Sequence, residues 1–253
     1  MFPLRDENPL VRAPVATVAV IAINAAVWVF VQGLGSPEAL VRSVCVYGLI
    51  PGEFLGTAAP GAVIPLGPDA RCVLSGSGTL LTPLTSMFMH GGWFHIIGNL
   101  WFLWIFGDNV EDAMGPLRFL VFYLVCGCAA AAAQTVTQPD SLVPMVGASG
   151  AIGGVMGAYA RLYPRAHIHT FVMLGFYITT ISVPAIAMLG YWFLLQVLGG
   201  LPTLAGSAAG VAFWAHVGGF AAGVVLVGPF HRSDFLAAHR SRRARRTARH
   251  RLF

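Results

Sequence analysis

Five stretches of this chain contain no Asp, Glu, Lys or Arg: residues 13–37, 72–107, 119–139, 141–160 and 166–231. A helix needs about 20 consecutive apolar residues to cross the hydrocarbon core of a bilayer. Each stretch is long enough for at least one crossing, and the last is long enough for two. Only 10% of the residues are charged, 57% are hydrophobic, and the mean hydropathy is +0.73. A soluble domain carries about a quarter charged residues, so a soluble fold is excluded. The expected fold is an all-α membrane protein, a bundle of six transmembrane helices.

The spans fall at about 13–31, 83–106, 117–136, 146–163, 184–198 and 207–227, broken by Gly, Pro and charge. Residues 1–12 form a polar arm, 13–229 the membrane domain with an external loop at about 34–82, and 230–253 a basic tail. The apolar content of the loop predicts a compact or interface-lying element. The second span is expected to stop at Gly107 and Asp108, leaving Asp108, Glu111, Asp112 and Arg118 in a tight connection. Residues 166–201 are too long for one helix and too short for a hairpin of two, so an interfacial or irregular segment is expected up to residue 183, before the fifth span. The first apolar run lacks a small-residue cleavage pattern and reads as a retained span.

All fifteen basic residues are arginines. Eight sit in the tail against one acid, Asp234, while the rest of the chain has seven against nine acids. Arginine favours loops that are not translocated, which puts both termini in the cytoplasm. The tail suits contact with anionic membrane lipid. Nucleic acid is not expected as a partner, because no aromatic platform accompanies the arginines. Cys126 and Cys128 read as small packing residues. Cys45 and Cys72 flank the external loop, and the sequence leaves open whether they are bridged or free.

Polar side chains inside such spans are costly and need partners or a function. Ser149 lies in Gly147-Ala148-Ser149-Gly150, His216 is alone in the sixth span, and His90, His95 and Asn99 share the second. These three spans all run from outside to inside. His95 falls about 18 Å and His216 about 14 Å along their spans at 1.5 Å per residue, and Ser149 starts a short span set below the surface. Glycine supplies closeness: Gly150, Gly153 and Gly157 bare one face, and Gly219 and Gly223 bare another. Packing those faces together sets Ser149 beside His216. A serine needs a base to become a nucleophile, and neutral imidazole is suited to that near pH 7. Asn99, His95 and a backbone N–H at the helix start can serve a developing oxyanion. The plainer readings are that the serine packs helices, that the histidines and Asn99 join helices, or that the histidines bind a metal. No Cys or carboxylate stands at ligand spacing, so a metal is not expected.

The chain resembles the rhomboid intramembrane serine proteases from about Pro51 to Gly223. The resemblance rests on His90-Gly-Gly-Trp-Phe-His95-Ile-Ile-Gly-Asn99, Phe106-Gly-Asp-Asn-Val-Glu111, Gly147-Ala-Ser149-Gly150, and Ala215-His216-Val-Gly-Gly219 through Gly223. It implies a six-helix bundle with a cavity open to the outside. Ser149 would be the nucleophile and His216 the base. His95, Asn99 and the Ser149 backbone N–H would form the oxyanion hole, with His90 supporting. The implied substrates are transmembrane proteins, cut in or near their helices through an acyl-enzyme, and the implied location is the cytoplasmic membrane of a bacterium. A catalytically silent relative that only binds client helices is the alternative. A transporter is disfavoured by the lack of charge in the spans and of an inverted repeat. Two departures stand out. Many members carry an aromatic four residues after the serine where this chain has Gly153, which leaves Phe220 as the candidate to orient His216. No Trp-Arg pair occurs in the first loop.

Overall fold

The computed structural model describes residues 2–66, 70–74, 79–205 and 210–250. Strand β1 (Phe2–Asp6) precedes an apolar helix, α1 (Val15–Phe30). The next segment builds α2 (Pro37–Tyr47), α3 (Pro51–Phe54), a hairpin of β2 (Val63–Pro65) and β3 (Arg71–Val73), and α4 (Thr82–Thr85). Helices α5 (Trp93–Met114), α6 (Pro116–Thr137) and α7 (Ser149–Leu162) follow. A second hairpin, β4 (His167–Leu174) and β5 (Tyr177–Pro184), leads into α8 (Ala185–Leu204), α9 (Phe213–Phe230) and α10 (Ser233–His250). Among the described residues, α6, α8 and α9 are long and apolar enough to cross a membrane, and α1 is a shorter apolar helix. Helix α7 is the centre of the bundle: every residue from Gly150 to Ala160 is buried. The start expected for the sixth span, at residue 207, lies outside the described residues; α9 begins at Phe213.

Helix α5 corrects the expected connection after Gly107. It runs on through Asp108, Glu111 and Asp112 to Met114, and ends at Gly115, whose φ of +84° breaks the helix before Pro116 opens α6. Glu111 and Asp112 are buried because another helix needs them. Glu111 accepts the backbone N–H groups of Ala16 (2.9 Å) and Thr17 (2.7 Å) and the Thr17 hydroxyl (2.8 Å). Asp112 accepts from the backbone of Val11 and Arg12, both at 3.0 Å. The first N–H groups of a helix lack partners within it and sit at its positive end, so Glu111 satisfies the start of α1 while Asp112 holds the segment just before it.

The same end of α5 gathers both ends of the chain. The Arg12 guanidinium pairs with Asp112 at 3.2 Å, and His239 of α10 reaches Asp112 at 3.3 Å. Phe235 lies between the guanidinium groups of Arg12 and Arg232, 3.4 and 4.0 Å from its ring centre. The opposite end carries the expected compact loop. There Leu49 and Met145 exchange backbone hydrogen bonds of 3.0 and 2.7 Å, and Cys45 of α2 forms a disulfide with Cys72 of β3.

The fold is mostly helical but not wholly so. Residues 166–183, expected to be irregular, form the antiparallel β4–β5 hairpin, and the N-terminal arm adds β1 to give the order β1-β4-β5. Leu174 pairs with Tyr177 across a two-residue turn, with Gly175 at φ +59°. Such tight hairpins need glycine at that backbone conformation. The β-branched residues of 178–183 suit a pleated surface and not an interfacial helix.

This sheet carries a half-buried acid, Asp6. Tyr159 of α7 donates its hydroxyl to Asp6 Oδ2 at 2.6 Å, and Asn109 Nδ2 donates to the same oxygen at 3.0 Å. Burial pushes the Asp6 carboxyl up to about 6, and the hydrogen bonds from Tyr159 and nearby backbone oppose this only in part. The folded protein therefore keeps a proton that an unfolded Asp releases near 3.8, and stability falls as pH rises between those two values. Asp6→Asn cannot ionise. Its unfolding free energy is expected to gain on wild type through that window, by at most about 3 kcal/mol, and level off above it, as read from melting at a series of pH values. A gap that does not change with pH would contradict this.

Candidate active site

Ser149 is the first residue of α7, so its backbone N–H has no carbonyl one turn earlier to bond. Gly147 sets up this start. Its φ of +123° is closed to most side chains, and a Cβ there would lie 2.6 Å from His95 Nε2. Glycine thus turns the chain and admits the His95 ring beside the serine. The Gly147 N–H donates to the Ser86 carbonyl at 2.9 Å, tying the turn to the segment after α4.

Helix α9 meets α7 almost backbone to backbone. A Cβ on Gly219 would run into the Gly150 carbonyl, and one on Gly223 into the Gly154 carbonyl. One on Gly150 would come 2.6 Å from the Ala130 side chain of α6. At this spacing His216 Nε2 lies 2.7 Å from Ser149 Oγ. The other ring nitrogen, Nδ1, lies 2.8 Å from Gln196 Oε1 of α8. The Trp192 ring stands against the imidazole with centroids 5.8 Å apart at 39°. Phe220 does not take the orienting position expected from the sequence. It packs on Phe193 (4.8 Å) and Trp192 (6.1 Å), behind the indole. Position 153 is glycine and offers no aromatic; a Cβ there would sit 3.1 Å from the His216 carbonyl.

Helix α5 contributes the remaining polar groups. His95 Nδ1 accepts the Gly91 N–H at 3.2 Å. That leaves Nε2 to carry the proton on the side facing Gly147 and Ser149. Asn99 is buried, and its Nδ2 has no hydrogen-bond partner. His90 is buried behind His95, edge-on with ring centroids 5.2 Å apart. Gln32 of the segment after α1 clamps its backbone, accepting the His90 N–H and donating to its carbonyl, both at 2.8 Å. Ser149, His216, His95 and Asn99 line one cavity of about 810 Å³, together with Trp192 and Gln134. Its rim is formed by α2 and by Pro65 and Leu66 of the disulfide-bonded loop. Among the described residues no three His, Cys, Asp or Glu side chains gather as a metal-ion set.

The family model described as the Rhomboid domain matches residues 77–233. The chain belongs to the rhomboid family. Curated rhomboids from several lineages align with it. The chain is 39% identical over 72 residues to the chloroplastic rhomboid-like protein 11 of Arabidopsis thaliana, covering 28% of this chain and 25% of that one. It is 29% identical over 151 residues to the mitochondrial rhomboid protein 1 of Saccharomyces cerevisiae, covering 55% and 39%. It is 42% identical over 79 residues to the rhomboid protease GluP of Bacillus subtilis, covering 31% and 14%. The chain spans less than half the length of these relatives. Every rhomboid-motif residue described above lies inside the matched segment.

Gln196, Trp192 and Gln134 were not among the residues expected at the site. Gln196 had a readable signal: it is the only amide in the apolar run of α8, and the reasoning that singled out Ser149 and His216 applies to it. The helix contact itself can be tested. Gly219→Ala is expected to lower thermal stability in detergent by about 1–3 kcal/mol, the usual cost of overpacking. Ala at Gly210, which has open space around it, is expected to leave the melting temperature nearly unchanged. Equal tolerance at the two positions would show that α7 and α9 are not in contact.

Proposed function

We propose that this rhomboid is an intramembrane serine endopeptidase that cuts transmembrane proteins in or near their helices. The observation that carries the reading is the 2.7 Å approach of Ser149 Oγ to His216 Nε2 at a cavity that His95 and Asn99 also line. Nδ1 of His216 has its own partner, so Nε2 is free to take the serine proton. Ser149 Oγ then attacks the scissile carbonyl carbon, and its proton passes to Nε2. The oxyanion that forms would receive hydrogen bonds from the Ser149 backbone N–H, Asn99 Nδ2 and His95 Nε2. The unpartnered state of Asn99 Nδ2 favours this assignment, because a buried donor left unpaired costs stability unless something else uses it. Imidazolium next protonates the leaving amine, which departs and leaves an acyl-Ser149 ester. Water attacks that ester with His216 again as base, releasing the acid and restoring the serine. Gly147 and Gly150 shape the turn that presents the serine, Gly219 and Gly223 hold α9 to α7, and His90 backs His95.

We further infer six spans, α1, α5, α6, α7, α8 and α9, with both termini in the cytoplasm. The meeting of Arg12, Asp112 and His239 at one end of α5 supports ends on a common side. The Cys45–Cys72 disulfide at the other end favours an oxidising outer compartment. The arginine-rich α10 then faces the cytoplasmic leaflet, where anionic lipid would attract it.

Purified protein in detergent or liposomes should cleave a transmembrane reporter substrate, and Ser149→Ala or His216→Ala should abolish cleavage without unfolding the protein. Asn99→Ala should lower kcat by about 10²–10³, the effect of losing one oxyanion donor. It should leave the melting temperature near wild type, because Nδ2 has no bond to lose. Client binding unchanged by Ser149→Ala, with no cleavage by wild type, would instead support a silent binding protein.

A further inference from the structure

We propose that Gln196 is a positioning residue that fixes the tautomer and orientation of His216. The inference rests on the Ser149–His216 protease reading. Two bonds orient the Gln196 amide. Its Nε2 lies 3.3 Å from the Trp192 carbonyl, one turn earlier in α8, and that carbonyl can only accept. The amide must therefore turn its nitrogen to Trp192 and its oxygen to the imidazole, where Oε1 lies 2.8 Å from His216 Nδ1. An amide oxygen can also only accept. The proton of neutral His216 is thereby held on Nδ1, and the lone pair of Nε2 faces Ser149 Oγ at 2.7 Å. This is the tautomer a general base needs. The opposite one would point N–H at the serine and could take no proton.

Trp192 adds the second constraint. The residue whose carbonyl locks the amide also sets its indole against the imidazole face. One turn of α8 therefore fixes the ring's plane, its tilt and its protonated nitrogen. A neutral amide suits this depth. A carboxylate in the same place would hold the imidazolium more strongly, but it would have to be stripped of water in an apolar bundle. Gly153 leaves no side chain on α7 for the task, so the support comes from a different helix.

The test compares Gln196→Met, similar in size but without the acceptor, with Gln196→Glu, which keeps a carbonyl acceptor in either protonation state. For Gln196→Met, kcat on a transmembrane reporter should fall about tenfold to a hundredfold, with KM and melting temperature close to wild type. Gln196→Glu should recover most of that loss. A second readout does not depend on turnover. In protein with 15N-labelled histidine, assigned by comparison with His216→Ala, the His216 signals should show protonated Nδ1 in wild type and lose that bias in Gln196→Met. Wild-type kcat in Gln196→Met, an equal loss in Gln196→Glu, or an Nε2–H tautomer in wild type would each overturn the proposal. If wild type cleaves nothing while the 15N shifts show the Nδ1–H tautomer, the protease reading fails and the Gln196–His216 interaction stands.

Discussion

The site exists because α7 and α9 touch without side chains between them. Gly150 and Gly154 on one helix face Gly219 and Gly223 on the other, and a single Cβ at either of the last two would meet a backbone carbonyl. Lipid tails are as apolar as leucine, so no hydrophobic force pulls two helices together inside a membrane. Close backbone approach, with the dispersion it brings, supplies the attraction instead. The approach also fixes a distance. Ser149 sits one residue before Gly150, and His216 sits three residues before Gly219. Once the glycines are in contact, hydroxyl and imidazole are within hydrogen-bond reach. The helix contact and the proton-transfer geometry are therefore one feature of the fold.

Around that contact, neutral and charged polar groups are sorted by depth. The polar side chains that line the otherwise largely apolar cavity are Ser, His, Asn and Gln, which are neutral and cost less to desolvate than charged groups. The carboxylates Glu111 and Asp112 are kept at the far end of α5, where backbone N–H groups of α1 and the segment before it satisfy them. Glu111 thus stabilises the start of α1, and Asp112 ties Arg12 and His239, from the two ends of the chain, to α5. The disulfide-bonded loop rims the cavity at the opposite end.

Much of this was legible in the sequence, and the parts that were not share a cause. The charge-free runs marked α1, α6 and α7 to within a few residues, because exclusion of charge is a local signal. The boundary of α5 was misread because Asp108, Glu111 and Asp112 look like a solvated turn until α1 is packed against them. The N-terminal partners of Glu111 and Asp112 are about a hundred residues away. The β4–β5 hairpin was hidden by its neutrality: it shares the absence of charge with the spans, although Gly175 and the β-branched residues around it carry a strand pattern. At the site, Ser149, His216, His95 and Asn99 announced themselves as polar groups in apolar runs. Gln196 obeyed the same rule. Its role became visible only when α8 brought it beside His216 Nδ1, because the register between two helices is not written in either one alone.

The central claim is that Ser149 is an activated nucleophile, and covalent trapping addresses it most directly. Folded protein incubated with a fluorophosphonate, digested and sequenced by tandem mass spectrometry should carry the adduct on Ser149, with the other serines unmodified. An adduct on a different serine, or none on protein with a native melting transition, would contradict the account.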